Sequence, residues 1–488
     1  MYDCLKGLEP ARVFELFGEL CRIPHGSKNE KAISDYIYHF CVEKGLEAWQ
    51  DEAHNLIIKK EATPGYESAP TVILQAHLDM VCEKNADTAH DFTRDPIRVL
   101  RDGDRIYADG TTLGADDATG VAFAMAVLES EDIPHPRLEV VLTADEEAGM
   151  SGIKAIDFSK IQGRVIINLD CSDEGIVVGC AGSTVIRLEL AMEREAVPGN
   201  WECGVLKIRG LKGGHSGLDI TKERGNANVL LARILSSLAE ACQSRAGSFS
   251  GGLQTNAICR EAEARIAFAA DKREAVEACL REWERTLQKE FKASDPGVHI
   301  VLEENAQGWG MFTIESQQKL LDAMLNIDCG VIAMNAEVPG VPETSGNIGV
   351  VTTKVDKVVI RTLYRSCYDS KKQYVVDKNR RLARLLGAEF SVESSSPEWE
   401  YKADSPLSAL IQRTYEKRFG KKLAVEVSHG GNECGAFFKQ FPDADIVCTG
   451  TQIIGAHTPD ESVLVSVVQK EWEMLCLTLK GMLEYKTV

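Results

Sequence analysis

The chain has 488 residues, 44% hydrophobic and 26% charged, a balance that suits a globular protein with a large buried core. Acidic residues outnumber basic ones 74 to 55, a formal charge of −19, and no basic stripe is present, which argues against a nucleic-acid partner. No apolar run reaches the ~20 residues that span a bilayer, and MYDCLKGLEPARVFELF lacks the basic-then-apolar layout of a secretion signal, so no membrane partner and a cytoplasmic location are expected. The fifteen cysteines are scattered without a C-x-x-C pair, which points to reduced, mostly buried thiols and not to a zinc ribbon or disulfide framework.

In chain order, the first ~180 residues alternate helix and strand patterns. Helices are predicted at 9–22, 29–45 and 117–130, and strands at TVILQA (71–76), LEVVLTA (138–144) and RVIINL (164–169). The strand runs are almost continuously apolar, as expected when both faces are covered. Strands spaced by helices imply a layered α/β fold. After residue 186 the strands become amphipathic: VLKIRGLKG (205–213), ARIAFAA (264–270) and KVVIRTLY (357–364), with helices at 224–245, 271–290 and 371–386. This reads as an inserted α+β domain, 187–400, with a weak internal duplication: Asn256-Ala-Ile and Asn347-Ile-Gly each open a strand pair followed by a helix. From Pro406 the α/β texture returns, with a helix at 406–418, a strand at 445–450 and a helix at 463–485. The expected fold is therefore a discontinuous α/β catalytic domain, 1–186 and 401–488, with a mixed, largely parallel sheet flanked by helices, plus a lid of two similar α+β lobes.

The chemistry gathers at the ends of the apolar runs. TVILQA runs into His77-Leu78-Asp79, LEVVLTA into Asp145-Glu146-Glu147, and RVIINL into Asp170, while Asp116-Asp117 precedes a helix. Ligand sites in open α/β sheets form at the carboxyl ends of strands. Each feature alone has a bland alternative: a hydrogen-bonded histidine, a solvated Glu pair, a helix cap. Together they place His, Asp, Glu and Asp on one sheet edge, which points to a metal site. His77 and Asp79 are two apart on an extended chain and point the same way, so Asp79 is expected to accept from the free His77 ring N–H. Carboxylate and imidazole donors suit zinc, manganese or cobalt. Two metals need a bridging group, and Asp116 is the best candidate because a carboxylate has two oxygens.

HLDMV, TTLGADDATG, TADEEAGMSG, NLD, GGHSG and GAHTPDE, in this order, resemble the zinc peptidases of the carboxypeptidase G / aminoacylase superfamily. RIPHGSKNE and HGGNECG are similar to its aminoacyl-histidine dipeptidase subfamily, although Asn432 stands where relatives usually have Leu. The resemblance implies two divalent ions, His77 and Asp170 on one, Glu147 and His457 on the other, with Asp116 bridging. It also implies that Asp79 orients His77 and that Glu146 is the general base. An extended chain would point Glu146 and Glu147 in different directions, so one can ligate while the other addresses water. Taken alone, His457 in its turn-rich stretch would read as a loop histidine; the match makes it the last ligand. In the lid, His215, Asn256, Arg365 and, more weakly, Gly431 are implied to hold the substrate, with Arg365 gripping a carboxylate. Ordinary turn and strand-end residues are the alternative. His25, His39, His54, His90, His135, His299 and His429 are read as structural or surface groups.

The resulting expectation is metal-dependent hydrolysis of dipeptides, Xaa-His included, with a small peptide as substrate and a possible homodimer through the lid. The rival enzyme is an N-acyl-amino-acid hydrolase or tripeptide aminopeptidase on the same scaffold. A catalytically dead binding protein is the rival from another class; it predicts a lost base or ligand, and every one is present.

Overall fold

The apolar runs become strands with no exposed residue, as VILQAH, LEVVLT and VIIN show. The computed structural model describes residues 2–171, 175–304 and 309–486. The chain divides into two compact units, one of Met1–Gly179, Tyr401–Val427 and Asn432–Val488, the other of Cys180–Glu400 and Ser428–Gly431. The division thus falls a little before the expected 186/187, and Ser428–Gly431 goes with the second unit.

The first unit carries an eight-stranded sheet: β1 (Glu47–Gln50), β2 (Leu56–Lys60), β3 (Val72–His77), β4 (Leu138–Thr143), β5 (Val165–Asn168), β6 (Ile176–Cys180), β7 (Val425–Ser428) and β8 (Asp445–Cys448). Their spatial order is β1-β2-β4-β3-β5-β8-β6-β7. The central strands run parallel, β3 beside β4 and β5, and β8 beside β5. The flanking pairs β1–β2, β2–β4 and β6–β8 are antiparallel, so the sheet is mixed with a parallel centre.

Parallel neighbours need a crossover, and helix Ala115–Glu129 supplies it between β3 and β4. From Ala118 to Leu128 it contains no charged residue, and every one of those positions is buried. A helix apolar on all sides must be covered on all sides. It lies against β3, with helix Ala11–Leu20 packed on it. The helix at 406–419 follows its punctuation: Ser405 accepts from the Ser408 N–H, Pro406 opens the first turn, and Gly420 ends it at φ +68.

The second unit is built on a ten-stranded sheet. One half contains His299–Glu304, Trp201–Arg209 and Ala262–Ala269, the other Pro342–Thr353, Lys357–Ser366, Gly182–Ala191 and Glu389–Ser396, with Ser250–Gly251 between them. A helix follows a strand of each half, Arg273–Glu290 and Asp369–Leu386. Leu231, Ile234 and Leu238 of helix Ala227–Cys242 pack with Ile266, Ile348 and Ile360 in its core. None of the fifteen cysteines is in a disulfide, and Cys82 alone is exposed. Among the described residues no helix is long and apolar enough to cross a membrane.

Candidate active site

The site is assembled from strand ends and two loops of the first unit. His77 is the last residue of β3 and is 1% exposed. Asp170 follows β5, and Glu146–Gly149 form a helical turn just beyond β4. Asp116 stands at the start of the crossover helix, and the peptide that follows it, Asp116–Asp117, is cis. His457 lies in the loop between Ile453–Ile454 and Ser462–Leu464. The residue before the Glu pair, Asp145, and His457 itself both adopt left-handed φ, +55 and +64. For residues with a Cβ such backbone is costly, and it gathers at functional sites.

Asp116 faces both histidines. Its Oδ1 is 3.2 Å from His77 Nε2, and its Oδ2 is 3.5 Å from His457 Nε2. Asp170 Oδ1 lies 3.8 Å from His77 Nε2, and Glu147 Oε1 lies 2.8 Å from His457 Nε2. Two three-residue groups therefore share Asp116: His77, Asp116 and Asp170, and Asp116, Glu147 and His457. A third group, His77 with Glu146 and Glu147, sets Glu146 beside both. In each group one candidate ligand atom per residue lies within 4.8 Å of the others.

The electrostatics describe a place short of positive charge. Among the described residues, the ion-pair partners of Asp116, Glu147 and Asp170 are His77 and His457 alone, with no Lys or Arg. Burial opposes charge on His77, but bonds to Asp116 and Asp79 and the charge of Asp170 hold its pKa well above the usual range. Bonds to Asp116 and Glu147 raise His457 to about 10. Burial pushes Asp116 up, yet the two histidines win and hold it low. Asp170 is pushed up to about 8 by burial and by the charge of Asp116. Glu146 is raised well above its usual range, by burial first and then by Asp170, Glu147 and Glu433 against His77. Buried carboxylates in this number call for cations. Nitrogen and carboxylate oxygen donors, in two sets joined by one carboxylate, fit a pair of divalent ions.

The nearest acceptor to His77 Nδ1 is the main-chain carbonyl of Asp79, at 3.0 Å, with the Asp79 carboxylate at 3.5 Å. That carboxylate also accepts from Ser27 Oγ (2.7 Å) and from the N–H groups of Glu146 (2.9 Å) and Glu147 (3.2 Å). One sequence expectation needs correction: Glu146 and Glu147 are not on an extended chain. They start a helical turn, whose leading N–H groups have no partner within the turn and take the Asp79 carboxylate. The two side chains diverge by helical rotation and not by strand alternation.

Asp117, placed by the sequence at the start of the crossover helix, is buried, accepts from Gly120 N–H there, and also accepts from His77 N–H. Two further supporting residues, Glu461 and Glu30, had no role assigned from sequence. Glu461 accepts from four consecutive N–H groups, Leu113 to Asp116, at 2.9, 3.2, 2.8 and 3.4 Å. It thereby ties the His457 loop to the Asp116 loop. Glu30 accepts from Asp145 N–H. These residues stand inside quoted motifs, but only the fold shows their partners.

In the second unit, His215 sits on Gly214–His215, paired with Ala257–Ile258. Its Nδ1 accepts from the N–H groups of Gly217 and Leu218, which leaves the ring proton on Nε2. Arg365 Nη2 is 3.4 Å from that Nε2. Arg365 is buried, has no carboxylate within ion-pair reach among the described residues, and burial lowers its pKa to about 10. His429 is buried, with Nε2 2.7 Å from Ser345 Oγ, and burial with the nearby Arg365 charge pushes it to about 3. Gly431 lies near the Ala181 carbonyl. Asn256 is exposed, its carbonyl accepting from Ser216 N–H; Asn347 holds the adjoining chain by donating to Thr255 and Ala257 carbonyls at 2.8 Å each. The Asn432 side chain accepts from Cys434 N–H.

The profile of Peptidase family M20/M25/M40 matches residues 73–481. Cytosol non-specific dipeptidase of Escherichia coli (strain K12) is 40% identical over 477 residues, 98% of each chain. The crystal structure of aminoacylhistidine dipeptidase from Vibrio alginolyticus has a TM-score of 0.89 and 39% identity, covering 98% of both chains. The aminopeptidase PepT of Bacillus cereus, at 18% identity and TM-score 0.56, shares the fold. With its strand ends, its shared aspartate and a family profile spanning most of its length, the chain belongs to the peptidases of family M20/M25/M40.

Proposed function

We propose that this peptidase hydrolyses dipeptides, Xaa-His among them, at a centre of two divalent ions, zinc by the donor set with manganese and cobalt as alternatives. The observation that carries the reading is the shared carboxylate: Asp116 turns one oxygen to each histidine, and Asp170 and Glu147 complete the two sets. The names of the E. coli and Vibrio relatives support the substrate class.

When bound, the two cations acidify a water and polarise the scissile carbonyl. Glu146 is the general base. It stands with His77 and Glu147, and its raised proton affinity suits a group that takes a proton from the attacking water and returns it to the leaving amine. Asp79 is a positioning residue, because its carboxylate holds the N–H groups of both Glu146 and Glu147. His215, with its proton on Nε2, is a donor for the oxyanion. Arg365, a buried cation with no counter-ion among the described residues, is suited to a substrate carboxylate. Asn256 and Gly431 complete the substrate contacts implied by the resemblance, and 187–400 acts as the lid, joining in a homodimer interface or closing the site within one chain.

Rates on Ala-His, acetyl-His and a tripeptide, each with and without chelator, test the reading. Chelator-sensitive hydrolysis of the dipeptide is expected. Preference for acetyl-His or the tripeptide would transfer the chain to the rival activities, and no hydrolysis with any of the three metals would refute the proposal.

A further inference from the structure

Beneath the ligands lies a chain of polar side chains that strand packing alone does not need. Gln75, Thr143 and Asn168 are fully buried on β3, β4 and β5, strands otherwise almost wholly apolar. Buried polar groups are costly unless partnered. Here all three lead to one carboxyl group. Glu433, 1% exposed, accepts through Oε2 from Gln75 Nε2 and from Thr143 Oγ1, both at 2.5 Å. Gln75 Oε1 accepts in turn from Asn168 Nδ2, which fixes the direction of the amide. Asn168 Oδ1 accepts from Asp170 N–H at 3.2 Å.

Each contact sits two or three residues below a candidate ligand or the base. Gln75 is two before His77, Asn168 two before Asp170, and Thr143 three before Glu146. Register places Gln75 beside Asn168 and His77 beside Thr143. The other contacts of these two donors are longer: Gln75 Nε2 to Ala76 O at 3.2 Å and to Thr143 Oγ1 at 3.3 Å, and Thr143 Oγ1 to Ala76 O at 3.3 Å. The network therefore adds definition to three strand ends that main-chain pairing has already brought together.

We propose that Glu433 is a positioning residue of the metal centre, tying the ends of β3, β4 and β5 so that His77, Asp170 and the Glu146–Glu147 turn are held in place. The inference rests on the two-metal reading above. Outer partners of metal ligands commonly change affinity about 10- to 100-fold when removed.

The test is zinc titration of the stripped full-length protein against a chromophoric chelator, for wild type, Glu433→Gln and Glu433→Ala, with circular dichroism to confirm folding. Glu433→Ala is expected to bind at least one ion about 10-fold more weakly or worse, and Glu433→Gln, which keeps an acceptor oxygen, to lose clearly less. A folded Glu433→Ala with wild-type affinity for both ions overturns the proposal, as does an equal loss in both variants, which would mean the charge acts and not the tie. If Glu433→Ala does not fold, Thr143→Val takes its place: weakened zinc binding is expected, and wild-type affinity overturns the proposal. A wild-type chain that binds no zinc, manganese or cobalt overturns the two-metal reading itself, an outcome separate from wild-type binding that is unaltered in the variants.

Discussion

At the scale of single residues, the proposed mechanism separates two neighbours, Glu146 as the base and Glu147 as a ligand, so Glu146→Gln is expected to lower kcat by about 10²- to 10⁴-fold while the protein still takes up both ions. Metal analysis alongside single-turnover rates checks this; loss of an ion together with the rate would make Glu146 a ligand. Arg365→Lys keeps the charge but loses the fork geometry, so KM for dipeptides is expected to rise by about 10-fold or more with a smaller change in kcat. Asp116 stood ahead of a helix and His457 rested on the family resemblance, whereas His77, Asp170 and the Glu146–Glu147 pair were legible because a buried apolar run that stops at His, Asp or Glu leaves a local signature. Glu433 and Glu461 left none. Gln75 and Glu433 are 358 positions apart, and Leu113 and Glu461 are 348 apart, so no spacing rule connects them. Asp79 was read only in part for a related reason: besides His77 two residues away, it serves N–H groups that lie 67 and 68 residues on.

At the scale of elements, loops are made rigid by side chains borrowed from elsewhere. Glu461 gathers four N–H groups of the segment that carries Asp116. Glu461→Ala leaves these buried donors unpartnered, which should cost at least ~2 kcal/mol and weaken metal binding by loosening Asp116 and His457 together. Urea unfolding of the stripped protein measures the first effect and zinc titration the second; a stable variant with normal affinity would remove Glu461 from the account. Gly120 makes the same point sterically, since a Cβ there would lie 2.4 Å from Asp117 Oδ1. Most helices and strands followed their periodicity, and the crossover helix was recognisable from its unbroken apolar run. Helix Ile314–Asn326 was not read from the sequence: it carries mixed polar and apolar residues, and its Thr313 cap on Ser316 N–H is a modest signal. The turn at Glu146–Gly149 was hidden because four residues carry no period.

For the whole molecule, the cost of gathering acids appears in the dependence of stability on pH. Without metal, His457 has a folded pKa of about 10 against an ordinary 6.5, and Asp170 about 8 against 3.8. The folded chain then holds more protons than the unfolded chain across the window these values span, so stability of the stripped protein falls as pH rises through it. The His457 contribution is complete below 6.5 and lost above about 10; the Asp170 penalty starts above 3.8 and is complete above about 8. Asp116, held low, works in the opposite sense, but only in more acid solution. Metal binding needs these groups deprotonated and strengthens with pH. The Tm gap between loaded and stripped protein should therefore widen from roughly pH 6 to roughly pH 9; a constant or narrowing gap contradicts this. The α/β layout with an α+β insertion was legible from the change in strand texture. Ser428–Gly431 was not assigned to the second unit, because a four-residue excursion leaves no compositional mark.

The central claim is that one aspartate joins two cation sites. Its most direct measurement is metal content per chain, by elemental analysis of stripped protein reloaded with zinc, compared between wild type and Asp116→Asn. Two ions in the wild type, with binding at both sites weakened by the single substitution, is the predicted result. One ion or none in the wild type, or a variant that weakens just one site, would contradict it.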